Sequence, residues 1–183
     1  AEKFNLKHFE LSQNYTFFWD KFEKANYFYE NVLATADQPT SSRKVAWLMT
    51  TPQQDGGQWD MLVAIIQKYG IVPKSVMPET YNSSKSAEIN STLNLKLRKD
   101  AVELRELVAA GTSDDAIQER KEKMLNEVYR MLAYAFGEPV SHFDWEYRDD
   151  KKQYHIDQNL TPQSFFEKYV GWNLDDYVSI INA

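Results

Sequence analysis

Apolar side chains near the start of the chain recur with the spacing of a helix. Between residues 12 and 36, rings and one valine fall near the i, i+3, i+4 and i+7 positions that share a helical face. This stripe consists of Tyr15, Phe18, Trp19, Phe22, Tyr29 and Val32. Phe17 and Phe28 lie off the stripe, so we expect the helix to be buried on more than one side. Ser12 is the expected N-cap, because its hydroxyl can accept an unpaired backbone N–H.

A second helix is predicted from about Gln58 to Tyr69. Its inner stripe consists of Met61, Leu62, Ile65, Ile66 and Tyr69. Gly70 ends the helix, because glycine adopts the left-handed conformation at low cost. The short apolar run Val45–Met49, before this helix, is either extended or the end of another helix. Two prolines predict that residues 71–82 are extended and irregular.

The middle of the chain predicts two long amphipathic helices joined by a short turn. The first runs from Ser86 to about Val108, with leucines on one side and charged residues on the other. Gly111 stops it, and Ser113 caps the second helix, which has two aspartates in its first turn. The second helix ends at Gly137. Together these elements form an antiparallel helical hairpin.

The last part of the chain predicts a β-hairpin, a short helix and a strand. Residues 142–148 alternate between rings and polar groups, and a D-D-K-K turn and a second run, Q-Y-H-I, follow. Thr161 and Pro162 are the expected cap and first residue of the short helix. Tyr177–Ile181 has the pattern of a strand. Since nothing after it could pair with it, we expect the natural chain to continue.

Composition narrows the classes of function. The net charge of the 183 residues is −6, which argues against general nucleic-acid binding and against an anionic membrane surface. The absence of cysteine excludes disulfides, thiolate metal sites and a thiol nucleophile within these residues. No run approaches the roughly 20 apolar residues of a membrane span, and the start lacks an apolar signal segment. We therefore expect a cytoplasmic protein with no membrane partner.

The polar residues form no catalytic group that the sequence alone identifies. The histidines, at positions 8, 142 and 155, lack the H-x-x-x-H spacing of a helical zinc site. His142 and Asp144 share the polar face of the predicted hairpin, where solvation is favoured over a shared metal. The acidic residues nearby indicate a charged turn rather than paired carboxylates for glycoside chemistry. The rings of the first helix indicate core packing rather than a ligand site. We expect neither a metal nor a cofactor.

Two adjacent glycines stand out in the stretch T-P-Q-Q-D-G-G-Q-W-D, directly before the second helix. Gly56 and Gly57 are two of only six glycines in the chain. Such a pair indicates either a tight turn with a helix cap or a place where another molecule must approach the backbone. The residues alone leave both interpretations open.

Three long segments carry a family resemblance. They are Phe9–Phe28, F-E-L-S-Q-N-Y-T-F-F-W-D-K-F-E-K-A-N-Y-F; Asp55–Lys74, D-G-G-Q-W-D-M-L-V-A-I-I-Q-K-Y-G-I-V-P-K; and Phe143–Lys152, F-D-W-E-Y-R-D-D-K-K. They resemble the bleomycin hydrolase and aminopeptidase C family of papain-like cysteine peptidases, in the same order and spacing. The resemblance implies a mainly α fold, which is the helical lobe of such a peptidase with an inserted helical hairpin and a small β-hairpin.

The resemblance also implies a division of the chain. Residues 1–82 would belong to the helical lobe without its catalytic-cysteine helix, residues 83–172 to the insertion, and residues 173–183 to a strand leading onward. In the family the insertion helps to assemble a hexameric ring. Val102 and Met124 lie beyond one apolar stripe, and they either serve that contact or pack inside the insertion.

The implied activity is removal of N-terminal residues from peptides through an acyl-thioenzyme. The family uses a cysteine at a helix N-terminus, a histidine, an asparagine and a glutamine that stabilises the oxyanion. We expect the cysteine and glutamine before Ala1 and the histidine and asparagine after Ala183, so that this chain alone has no catalytic residue. Neither His142 nor His155 matches the histidine motif of the family.

In papain-like enzymes a glycine pair of this kind lines the cleft and binds the substrate backbone in an extended conformation. By position, the resemblance implies that Gly57 makes this contact, that Gly56 adjoins it, and that Gln58 and Trp59 shape the neighbouring pocket. The rival hypothesis is a non-enzymatic helical module for protein interaction. The sequence Gly-Gly-Gln-Trp at a helix start and the unpaired last strand disfavour it.

Overall fold

A computed structural model describes residue 6, residues 9–178 and residue 180. Seven α-helices are present in this part of the chain: α1 Gln13–Ala34, α2 Arg43–Thr50, α3 Trp59–Tyr69, α4 Tyr81–Ser84, α5 Ala87–Ala109, α6 Asp114–Phe136 and α7 Pro162–Phe165. Two strands, β1 Phe143–Arg148 and β2 Tyr154–Leu160, form an antiparallel sheet. A π-helical turn, Phe166–Val170, and a 3₁₀ turn, Leu174–Asp176, follow α7. The fold is mainly α with a small β-hairpin, as the sequence predicts.

Side-chain caps fix the starts of three helices at the predicted residues. The Ser12 hydroxyl accepts the Tyr15 N–H at 3.0 Å before α1, and Ser113 accepts the Ala116 N–H before α6. Thr161 and Ser164 form a reciprocal capping box at α7, with Pro162 as its first residue. Each cap satisfies N–H groups that a helix start otherwise leaves unpaired.

The ambiguous run Val45–Met49 is helical. Ser42 caps α2 through the Val45 N–H, and the helix buries Val45 and Leu48 on one side. These two residues are three apart, so they share a helical face. The extended alternative for this run is therefore wrong. Helix α4 likewise makes residues 81–82 helical, where an irregular segment is predicted.

The described residues form two compact units. The first comprises residues up to 20, residues 57–80 and residues from 138 onward; the second comprises residues 21–56 and 81–137. Helix α1 thus contributes residues to both. The sequence-based boundaries at residues 82 and 172 remain a prediction. They mark segments inferred from the family resemblance, whereas the two units are defined by contacts within the folded chain. Among the helices described, none has the length and apolar character needed to cross a membrane.

The core of the first unit is built from rings on the β-hairpin and α7. Trp145 and Phe165 pack edge to face with centroids 5.1 Å apart, and Ile71 and Leu160 complete the buried cluster. Along β1 the rings at 143, 145 and 147 are buried or half-buried, while the residues between them are exposed. The predicted alternation is thus confirmed, and the hairpin uses one face for packing.

The core of the second unit lies in the α5–α6 hairpin and the part of α1 from Lys21 onward. The buried apolar side chains from the hairpin are Leu93, Leu97, Ala101, Leu104, Ile117, Met124, Val128, Leu132 and Phe136. Met124 has no exposed surface, so of the two alternatives it packs inside the insertion rather than serving contact between subunits. It lies on the inner face of α6, seven residues after Ile117 and four before Val128. Val102 is 57% exposed.

Hydrogen bonds between polar side chains connect α1 to the α5–α6 hairpin. The Tyr29 hydroxyl donates to Asp100 Oδ2 at 2.5 Å, and Lys96 Nζ donates to the same oxygen at 2.8 Å. Burial and the neighbouring Asp100 carboxylate raise the pKa of the Tyr29 hydroxyl far above its ordinary value. Tyr29 is therefore a permanent donor, which satisfies a buried carboxylate.

The predicted strand Tyr177–Ile181 is wrong where it is described. Tyr177, Val178 and Ile180 have no strand conformation, and Ser179 and Ile181 lie outside the described residues. The apolar pattern here does not mark a half-buried strand, because Val178 and Ile180 are 81% and 92% exposed. The argument that an unpaired strand ends the chain therefore has no structural support.

Candidate functional site

The glycine doublet is open to solvent. Both Gly56 and Gly57 are exposed, and neither has a backbone φ in the positive region that favours glycine. A Cβ at Gly56 would meet nothing within 4 Å, and a Cβ at Gly57 would meet only Asp20 Oδ1, at 4.0 Å. Neither local conformation nor packing within the described chain therefore requires glycine at these positions.

Gly57 presents unpaired backbone groups. Its N–H donates no hydrogen bond, and its C=O accepts none, among the residues that the structure describes. Gln58 follows in an extended conformation, with φ −105° and ψ 166°. Its C=O accepts the Leu62 N–H at 3.2 Å, and α3 begins there. Gly57 therefore offers an exposed backbone N–H and C=O with which an extended chain could pair.

The two other candidate residues differ in exposure. Gln58 is exposed, and its side chain makes no capping hydrogen bond to α3. Trp59 is half-buried, and its ring contacts that of Tyr177 edge to face, with centroids 6.1 Å apart. Three of the four predicted site residues are therefore exposed to solvent, while Trp59 is partly covered by Tyr177.

The far end of α3 is held firmly in the first unit. Trp19 stacks on Tyr69 with ring centroids 3.8 Å apart and planes within 8°. The Tyr15 hydroxyl donates to the Tyr69 carbonyl oxygen at 2.7 Å, and the Gln163 amide donates to the Lys68 carbonyl oxygen at 3.1 Å. Met61, on the predicted inner stripe, is 38% exposed, so its assignment to the core is wrong. It lies in the first turn of α3, away from these contacts.

The loop that leads to the doublet is anchored in the second unit by a buried lysine. Lys21 has no exposed surface, and its Nζ donates to Asp55 Oδ1 at 2.5 Å and to Gln53 Oε1 at 2.8 Å. Asp55 also accepts hydrogen bonds from the Ser86 hydroxyl at 2.6 Å and the Asn90 amide at 2.8 Å. A buried ammonium needs such partners, because removing it from water is otherwise costly.

A second lysine, one turn further along α1, binds the same loop. Lys24 Nζ donates to the Gln54 carbonyl oxygen at 2.8 Å and to the Gly56 carbonyl oxygen at 2.7 Å. The sequence does not reveal either lysine as part of the site. The available signal is weak: Lys21 lies three residues after the buried Phe18 and four before the buried Ala25, on an otherwise apolar face.

The ion pair sets the titration of Asp55. Burial alone would raise the pKa of this carboxyl, but hydrogen bonds from Lys21, Ser86 and Asn90, with the lysine charge, lower it to about 2. Because the pKa is lower in the folded chain than in the unfolded chain, the pair stabilises the fold above pH ~4. That stabilisation is lost as the pH falls towards about 2.

We therefore expect an acid-sensitive component of stability that Asp55→Asn removes. Its size is about 1 kcal/mol, because the Asp55 side chain is 43% exposed and solvent screens the pair. Urea unfolding at about pH 5 and pH 2.5 measures it. The natural chain should lose about 1 kcal/mol more than the variant does between these conditions. Equal losses would contradict the assignment.

The two described histidines, His142 and His155, lie beside and within the β-hairpin. The His142 ring lies beside the Ser141 hydroxyl, and His155 Nε2 lies 3.3 Å from Asp149 Oδ2 at the hairpin turn. Asp149 also accepts the N–H groups of two turn residues, as a charged turn would. Within the described residues no three His, Asp or Glu side chains converge as metal ligands. His8 lies outside the described residues.

Comparisons with known proteins define the class and then the family. The crystal structure of PepW from Lactobacillus rhamnosis HN001 (DR20) superposes with a TM-score of 0.94 and 73% identity, over 96% of this chain and 39% of that chain. The fold is therefore that of the helical lobe of a papain-like peptidase. The model of the Peptidase C1-like family matches residues 1–183, and the chain belongs to this family.

Curated relatives agree with this membership. Aminopeptidase C from Lactobacillus helveticus is 61% identical over 182 residues, and Aminopeptidase C from Lactobacillus delbrueckii subsp. lactis is 56% identical over 182 residues. Aminopeptidase E from Lactobacillus helveticus is 48% identical over 184 residues. The alignments with both Aminopeptidase C proteins include 100% of this chain, which spans only 40% of the length of each.

Proposed function

We propose that the whole protein containing this chain is a cysteine aminopeptidase that removes N-terminal residues from peptides. The identity of the full chain to proteins named aminopeptidases supports the reaction class. The geometric observation that carries the proposal is the exposed Gly57 backbone, whose N–H and C=O are both unpaired within the described chain. An extended peptide can pair with such an edge.

The reaction needs groups that these 183 residues do not contain. A cysteine thiolate attacks the carbonyl carbon of the first peptide bond, and the resulting oxyanion is stabilised by hydrogen-bond donors. The amine of the shortened peptide leaves with a proton from an imidazolium, and water then hydrolyses the acyl-thioenzyme. Because the chain has no cysteine, its own contribution to this chemistry is to bind and orient the peptide.

We assign substrate binding to the doublet and the start of α3. Gly57 pairs with the substrate backbone through its N–H and C=O, and the missing side chain lets the two backbones approach. Gly56 adjoins this contact, and Gln58 and Trp59 shape the neighbouring pocket. The extended conformation of Gln58 and the half-buried ring of Trp59 support this assignment.

Gly57→Ala in the whole protein tests the assignment. The added methyl group has room within the folded chain but would separate the two paired backbones, so we expect KM to rise about ten-fold, equivalent to about 1.4 kcal/mol. The melting temperature should stay the same. Steady-state hydrolysis of an aminoacyl fluorogenic substrate measures both kcat and KM. An unchanged KM would count against the role of Gly57.

Two controls accompany this variant. Gly56→Ala also has room for its methyl group and should raise KM less, because Lys24 already occupies the Gly56 carbonyl. The 183-residue chain alone serves as the blank and should give no turnover. Turnover by the pure chain that a thiol reagent blocks would refute the proposal that the nucleophile lies elsewhere in the protein.

The hexameric ring that the family resemblance implies stays a prediction. Of the two residues considered for contact between subunits, only Val102 is exposed. A cytoplasmic location also stays a prediction.

A further inference from the structure

We propose that Lys24 is a positioning residue that holds the Gly57 N–H in the direction needed for substrate binding. This inference rests on the proposed function, because it assigns a role towards the same backbone contact. It concerns a side chain that touches neither the substrate nor the reacting atoms. Lys24 acts through the peptide group that joins Gly56 to Gly57.

The contact of Lys24 with the loop is specific. Its single Nζ lies 2.8 Å from the Gln54 carbonyl oxygen and 2.7 Å from the Gly56 carbonyl oxygen. These distances are typical of hydrogen bonds with a charged donor, which are stronger than neutral ones. The carbonyl groups of Gln54 and Gly56 therefore both point at the Lys24 ammonium, which restrains the backbone conformation of the loop just before Gly57.

Peptide geometry transmits this restraint to Gly57. Peptide bonds in the described chain are trans, so the Gly56 C=O and the Gly57 N–H lie in one plane and point in opposite directions. When Lys24 holds the carbonyl, it fixes the direction of the N–H on the other side of the plane. The ammonium also polarises the peptide group, which strengthens its N–H as a donor.

The restraint by Lys24 matters because the two residues joined by the restrained peptide group are glycines. Glycine has more backbone freedom than any other residue, and two adjacent glycines combine this freedom. Fixing the backbone of one residue costs conformational entropy. Without the hydrogen bonds from Lys24, the glycine backbone would lose this entropy only when a ligand binds, and the affinity for the ligand would fall. Lys21 holds Gln53 and Asp55, so the two lysines restrain successive parts of the loop.

Amide NMR on the 183-residue chain tests the restraint directly. In Lys24→Met the Gly57 amide should become mobile, with its order parameter falling from about 0.85 to below about 0.6. Lys24→Arg keeps a charged donor and should retain most of the order. Lys44→Met replaces an exposed lysine elsewhere and should change nothing. An unchanged Gly57 amide in Lys24→Met would overturn the proposal.

Kinetics of the whole protein test the consequence for binding. In Lys24→Met we expect KM to rise about five-fold with kcat nearly unchanged, since only the ordering cost of binding changes. Lys24→Arg should recover most of the loss, and Lys44→Met should behave as the natural protein. A mobile Gly57 amide together with an unchanged KM would overturn the role in binding.

The NMR and kinetic experiments test this inference and the proposed function separately. Absence of peptide hydrolysis by the natural whole protein would refute the aminopeptidase activity, and with it the role of Lys24 in substrate binding. The NMR result on the chain would then still decide whether Lys24 orders the Gly57 N–H.

Discussion

Gly70→Ala is expected to destabilise the first unit by about 4 kcal/mol, through strain and collision together. Gly70 has φ 73° and ψ −161°, a backbone region that is almost restricted to glycine. A Cβ there would lie 2.2 Å from the Pro162 carbonyl carbon and 2.4 Å from the Gln163 nitrogen. Both atoms belong to the backbone at the start of α7, so neither can rotate away.

Gly137→Ala is the matched control for this prediction. Gly137 also ends a long helix, with φ 85° and ψ 157°, but a Cβ there would meet nothing within 4 Å. Only the conformational strain remains, and we expect a loss of about 2 kcal/mol. Urea unfolding of each variant, followed by circular dichroism, measures the difference. Similar losses for the two variants would mean that the contact with α7 is not restrictive.

Lys21→Ala is expected to cost about 3 kcal/mol of unfolding free energy. The change removes a fully buried ammonium and leaves the Gln53 side chain, itself only 3% exposed, without the donor to its oxygen. It also leaves Asp55 without its cation, although the partial exposure of this carboxylate limits that part of the loss. Chemical unfolding of the 183-residue chain measures the change.

Two further variants separate charge from packing. Lys21→Met keeps most of the buried side-chain volume, so we expect it to recover part of the stability that Lys21→Ala loses. Lys123→Ala breaks the ion pair with Glu119, in which both side chains are more than half exposed, and should have almost no effect. If Lys21→Ala were as mild as Lys123→Ala, the buried pair would not anchor the loop.

Much of the fold follows from local sequence signals. Periodic apolar residues define α1, α3, α5 and α6, and the hydroxyl caps at Ser12, Ser113 and Thr161 mark three of the starts. These signals work because hydrogen bonds in helices and caps join residues close in the sequence. The hairpin is predictable for the same reason, since alternation along β1 requires only neighbouring residues.

The wrong predictions, and the one left open, concern segments whose surroundings decide the outcome. The run at Val45 is too short for its period to distinguish helix from strand, and Ser42 and the burial of Leu48 decide it. Tyr177–Ile181 has strand propensity, but propensity does not supply a neighbouring strand. Met61 has the right spacing for the core, but it lies at the open end of α3.

The candidate site is only partly visible in the sequence. The doublet can be noticed because adjacent glycines are rare in this chain, and family resemblance then suggests a role for it. The lysines that hold the loop cannot be found in this way, because Lys21 and Lys24 each reach partners about 30 residues further along the chain. Nothing in the local pattern specifies which carbonyl or carboxylate they meet.

The hold of Lys24 on the Gly56 carbonyl has a consequence for register. In an extended chain, the N–H and C=O of one residue point to one side and those of its neighbours point to the other. With the Gly56 carbonyl already bound to Lys24 on one side, an extended peptide on the opposite side would meet the N–H and C=O of Gly57 alone. A shift by one position would present the wrong row of side chains, so under the proposed function this loop would set the register in which a peptide binds.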